Sequence, residues 1–98
     1  MIFMSKIINY YLGAPEKDYQ DLISAINAYP ECAKLAESTW MIVSDDSCVK
    51  VRNDLFLHMD SNDKLFVAEL SGIAAWQNLD CNYDYFRKNL QNKYNTFK

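Results

Sequence analysis

Lys6-Ile7-Ile8-Asn9-Tyr10-Tyr11-Leu12-Gly13-Ala14-Pro15 is the stretch that decides the fold. Ile7, Ile8, Tyr10, Tyr11 and Leu12 crowd β-branched and aromatic residues into seven positions, the composition of a strand. Gly13-Ala14-Pro15 stops it. Strand side chains alternate, so Ile7, Asn9 and Tyr11 point one way and Ile8, Tyr10 and Leu12 the other. Both sets are apolar enough to need cover, and both faces of the sheet are expected to be buried. The corner where the strand ends carries two tyrosines and no acid, base or thiol, which makes it a poor place for catalysis.

Beyond the turn, Asp18 is a natural helix cap and Asp21 favours the positive end of the helix dipole. Tyr19, Leu22, Ile23, Ile26 and Tyr29 then form one apolar helical face, and Pro30 ends it. Ala33 to Val43 is extended, read as two short strands bending near Glu37-Ser38. Ser44-Asp45-Asp46-Ser47 starts a second helix with Cys48, Val51, Leu55 and Met59 on its apolar face. Asp60-Ser61-Asn62-Asp63 is a turn by composition. Lys64–Leu70 is the last clear strand, with Phe66, Ala68 and Leu70 on one face, closed by Ser71-Gly72. The order strand, helix, two strands, helix, strand predicts an α+β fold: a ferredoxin-like βαββαβ sandwich, an antiparallel sheet with two helices on one face.

Two helices cover one face of such a sheet. The other, bearing Tyr, Trp and Ile, would be an apolar patch of a size rare on monomers. A homodimer packed sheet to sheet, or an exchange of residues after Gly72, is the economical solution. In that last part, Tyr83 to Leu90 reads as a short helix with Tyr83, Phe86 and Leu90 on one face. The expected organisation is one domain over residues 1–90 and a frayed basic tail over 91–98.

The totals agree with a small globular domain. Ninety-eight residues suit one core, and 14% aromatics argue against disorder. No apolar run approaches the roughly 20 residues that cross a bilayer, and Met1-Ile2-Phe3-Met4 is too short for a signal sequence, so a cytoplasmic protein with no membrane partner is expected. Cys32, Cys48 and Cys81 form no C-x-x-C pair, which points to half-buried thiols rather than a disulfide framework or zinc site. Residues 82–98 set Asp84 against Arg87, Lys88, Lys93 and Lys98, a net of +3, which leaves −6 on the remainder of a chain whose total is −3. An acidic body with a basic tail is unlike a dedicated nucleic-acid binder, whose affinity rests on clustered Lys and Arg.

Several residues together carry a resemblance. They are the first strand and turn with Ala14-Pro15 and Asp18-Tyr19, Leu22 with Ala25-Ile26, Glu37-Ser38-Thr39-Trp40, Asp60 to Val67, and Ala74-Ala75-Trp76. Over about residues 5–90 the chain resembles the small Cas-two-like proteins, relatives of the CRISPR-associated adaptation subunit and of VapD-type ribonucleases. It is closest to stand-alone members that carry a SinR-family label. The resemblance implies a ferredoxin-like fold, a symmetric dimer, a place in prokaryotic or phage conflict systems and, in some members, metal-dependent cleavage of RNA or DNA. Cleaving members end the first strand in a tyrosine-aspartate pair, and each subunit gives one acid to a shared metal. The corresponding pair here is Tyr10-Tyr11.

A phenol is a poor substitute for that acid, because Mg²⁺ demands hard oxygen ligands and usually takes one or two carboxylates. Asp45 and Asp46 sit where acids cap a helix, Asp60 and Asp63 where they form a turn, and Glu37 and Glu69 fall in strands. His58, the only histidine, reads as a half-buried structural residue of the second helix. Gly13 and Gly72 alone make no phosphate-cradling loop. The expectation is therefore a non-catalytic homodimer with no cofactor and no metal. Its binding cleft would be drawn from Asn9, Tyr10, Tyr11, Glu37, Ser38, Trp40 and Trp76, and would take a small nucleotide, a nucleic-acid end or a protein partner. The alternative is a metal-dependent endonuclease with a relocated acid.

Overall fold

The structure, a computed structural model, describes residues 3–13 and 19–91. The Ala14-Pro15 stop, the Asp18 cap and the basic tail lie outside them. The elements run β1 (Met4–Tyr11), α1 (Gln20–Asn27), β2 (Glu31–Ala36), β3 (Thr39–Ser44), α2 (Cys48–Phe56), β4 (Lys64–Glu69) and α3 (Tyr83–Gln91). The four strands form one sheet in the order β2-β3-β1-β4, with every neighbouring pair antiparallel. The extended stretch before Val43 is two strands, and Glu37-Ser38 is the turn between them. Glu37 thus stands exposed in a turn rather than in a strand.

α1 and α2 cover the inner face. Leu22 and Ile26 from α1, with Val51 and Leu55 from α2, pack on Ile8, Tyr10, Trp40 and Ile42. Inside this core the indole N–H of Trp40 donates to the Tyr10 hydroxyl at 3.1 Å, which satisfies both polar tips of large buried rings. The cap of α2 is Ser47, whose hydroxyl accepts the Lys50 N–H at 3.0 Å, so neither Asp45 nor Asp46 fills that role. His58 lies half-buried in the turn just past α2.

The outer face is where the molecule departs from the two-helix expectation. One end of it is covered by the chain's own C-terminal segment. Phe86 and Leu90 of α3 pack on Leu35 and Met41, joined by Ile7, Ala33, Leu70, Trp76 and Leu79. The connection from β4 to α3 turns through two left-handed residues, Gly72 at φ 96° and Asn78 at φ 59°. α3 is latched to β2 by the Tyr85 hydroxyl, which donates to the Glu31 carboxylate. None of the described helices is long and apolar enough to cross a membrane.

Candidate binding site

The cross-strand register sets out the outer face row by row. Ile7 lies between Met41 and Ala68, Asn9 between Thr39 and Phe66, and Tyr11 opposite Lys64. The Ile7 row lies against the α3 cluster. The next two rows emerge from under it. Tyr11 is 64% exposed and Phe66 61%, with Asn9 and Lys64 also exposed beside them. Tyr11 and Phe66 are diagonal neighbours on adjacent antiparallel strands, a relation that puts side chains roughly 7–8 Å apart and within reach of one planar ligand.

Asn9 is held in place. Its amide Nδ2–H donates to Thr39 Oγ1 at 2.7 Å and to the Ser38 carbonyl at 3.3 Å, which leaves the Oδ1 acceptor of an exposed residue for other donors. The Lys64 ammonium is the nearest cation by register. This surface therefore offers two ring faces, one amide acceptor and one positive charge.

The seven residues expected to make a cleft are not brought together in one subunit. Asn9 and Tyr11 share the open rows, and Ser38 joins them through its carbonyl. Tyr10 and Trp40 are on the opposite face, 6% and 7% exposed and bonded to each other in the inner core. Alternation along β1 separates Tyr10 from Tyr11 by the thickness of the sheet. Glu37 points from the hairpin turn, exposed. Trp76 lies under α3, edge-on to Phe86 at 5.0 Å and to Tyr83 at 6.2 Å, with the Arg87 guanidinium 5.3 Å over its ring.

Sequence reasoning missed Phe66 and Lys64 as surface partners of Tyr11. The alternation in β4 showed which face Phe66 takes, but only the register with Asn9 shows that it stands a row away from the α3 cluster.

No family model, curated protein or solved structure matches this chain.

Asp63, Asp54 and Asp84 each have structural partners of their own. The Asp63 carboxylate, 7% exposed, accepts the Gly13 N–H at 2.7 Å, the Tyr19 O–H at 3.1 Å and the Asp60 N–H at 2.7 Å. Asp54 pairs with Lys50 at 2.8 Å and Asp84 with Arg87 at 3.3 Å, both on exposed helix surfaces. Among the described residues no three His, Cys, Asp or Glu side chains gather closely enough to hold a metal ion. Cys32, Cys48 and Cys81 are free and half-buried. Burial, and then the charge of Glu31, raise the Cys32 thiol pKa and keep it in the unreactive protonated form.

Proposed function

We propose that this protein is a non-catalytic binding module of the ferredoxin-like, Cas-two-like type, and that it takes a nucleotide or the end of a nucleic-acid strand on the open rows of its outer sheet face. In this reading two copies meet there, in the cytoplasm of a cell hosting a prokaryotic or phage conflict system. The observation that carries it is the pair of exposed rings, Tyr11 and Phe66, side by side on β1 and β4. A nucleobase stacks on such rings whatever its sequence, and Lys64 opposite Tyr11 offers a local charge for a phosphate.

The strand order β2-β3-β1-β4, with both crossover helices on the inner face, supports the ferredoxin-like reading. The end of β1 supports the non-catalytic one. Tyr11 stands where cleaving relatives by resemblance carry an acid, and the nearby buried carboxylate, Asp63, is already engaged by three donors of the fold.

Titration with adenosine and guanosine monophosphates and with short single-stranded DNA and RNA, followed by calorimetry, tests the reading. Saturable binding should weaken by about tenfold or more in Tyr11→Ala and in Phe66→Ala, as expected for stacking worth ~1–3 kcal/mol per base. Equal binding by wild type and both variants, or no binding by any of them, overturns it. Cleavage of either nucleic acid in Mg²⁺ that Glu37→Ala or Asp45→Ala abolishes would instead establish the endonuclease alternative.

A further inference from the structure

We infer that the hollow between the covered end of the outer sheet face and the C-terminal segment is a second binding site, built for a small neutral aromatic molecule that carries one hydrogen-bond acceptor. The hollow measures about 220 Å³. An engineered apolar cavity of roughly 150 Å³ stays dry and takes up benzene, so this space has room for one substituted ring and not for a long acyl chain.

Its chemistry is set by what lines it. Ile7, Leu35 and Thr39 come from the sheet, Ala75 and Trp76 from the irregular connection, and Phe86 from α3. No lining side chain is ionisable, so a charged ligand would lose its hydration with nothing to replace it. Two lining side chains have polar atoms. The Thr39 hydroxyl accepts from Asn9 and still has its own proton to give, and the indole N–H of Trp76 is likewise a donor. Both offer protons. A ligand that brings an oxygen acceptor fits them, and a saturated hydrocarbon does not.

Access follows from the roof. Ala74 and Ala75 are exposed, and the segment that carries them lies in no strand or helix. It is tied back by the Asp80 N–H to the Leu35 carbonyl at 3.0 Å and the Leu79 N–H to the Tyr83 hydroxyl at 3.1 Å. Such a lightly bonded segment opens at low cost compared with the strands beneath it. Tyr11 and Phe66 do not line this hollow, and Thr39, which also holds Asn9, is the one residue it shares with the open rows, so the Tyr11 variant separates the two readings.

Phenol and toluene are the probes, each titrated into the full chain while the methyl resonances of Ile7 and Leu35 are followed by NMR. Both should give saturable shifts there, with phenol about fivefold tighter, the equilibrium factor of one ordinary net hydrogen bond. Thr39→Val should reduce the phenol advantage while toluene binding persists, and Thr39→Phe should fill the space and abolish both. Tyr11→Ala should leave all of it unchanged. Failure of both probes to saturate, shifts that map elsewhere, equal affinity for the two probes in wild type, or wild-type binding by a folded Thr39→Phe overturns the inference. The wild-type comparison decides on its own if Thr39→Phe does not fold.

Discussion

The carboxylate of Asp63 receives a backbone N–H from the end of β1, a phenol from the start of α1 and a backbone N–H from its own turn, so one side chain ties three parts of the chain together. Removing it leaves three donors to find water at a site that is nearly closed. Asp63→Ala is expected to cost about 3 kcal/mol, since hydrogen bonds to a charged acceptor are each worth more than neutral ones. A urea unfolding curve checks this, and a loss under 1 kcal/mol would show that the three bonds are dispensable. The turn at Asp60–Asp63 was legible from its composition, but the reach of Asp63 to Gly13, fifty positions away, was not. A polar residue in a turn carries no mark of a distant partner. A second residue-scale expectation concerns alkali. Burial, and then the hydrogen bond to Glu31, push the Tyr85 pKa up to about 12 from an unfolded value near 10. A raised folded pKa favours the folded state below pH 10, and the advantage is lost as pH rises through 12. Tyrosinate absorbance should therefore report late ionisation of Tyr85, and Glu31→Gln should bring it earlier.

Among the elements, α3 is the one whose role could not be read from its own residues. Tyr83, Phe86 and Leu90 announced an amphipathic helix; Phe86 and Leu90 are its buried apolar residues, joined by Asn89, while Tyr83 is exposed. Nothing in their spacing says which face of the sheet they cover, because that depends on the left-handed turns at Gly72 and Asn78. The central elements were more transparent. The dense β-branched and aromatic run in β1, the Glu37-Ser38 bend and the start of α2 after Ser44–Ser47 each follow from local chemistry, although the cap is Ser47 and not Asp45 or Asp46. The candidate site was half legible. Alternation put Asn9 and Tyr11 on one face and Tyr10 on the other, but the exposure of Phe66 depends on which rows the α3 cluster covers. Trp76 joins the connection to α3 through Phe86, Tyr83 and Arg87. Trp76→Ala is expected to remove about 2 kcal/mol, less than a fully buried ring because Trp76 is only half-buried. Hydrogen exchange should quicken across residues 83–91 while the amides paired between β1 and β3 keep their protection. Equal acceleration in both regions would mean that α3 and the sheet open as one unit.

For the whole molecule, the proposed dimer depends on the balance between covered and open outer face. Full cover would leave a monomer with nothing to offer, and no cover would leave a large sticky sheet. Here α3 narrows the apolar surface to the Tyr11 and Phe66 rows, with Ile73 exposed on the connection to α3. This is the surface through which the proposed dimer would form. Light scattering at micromolar concentration should give twice the 11.4 kDa chain mass, and Phe66→Glu should halve it without altering the fold. A wild-type particle of single-chain mass would remove the dimer from the account and leave the rings to a ligand alone.

Among the described residues the sheet has four strands, with β2 and β4 as its margins. Pro30 enters β2 without an N–H to offer, Lys34 stands exposed along it, and β4 begins and ends in exposed Lys64 and Glu69. Any further strand docking on either margin would have to strip water from ionised groups, which is how natural sheets resist growing into fibrils. The proposed pairing of two copies is thereby left to the broad side of the molecule, and crowded solutions of it should hold discrete particles rather than filaments.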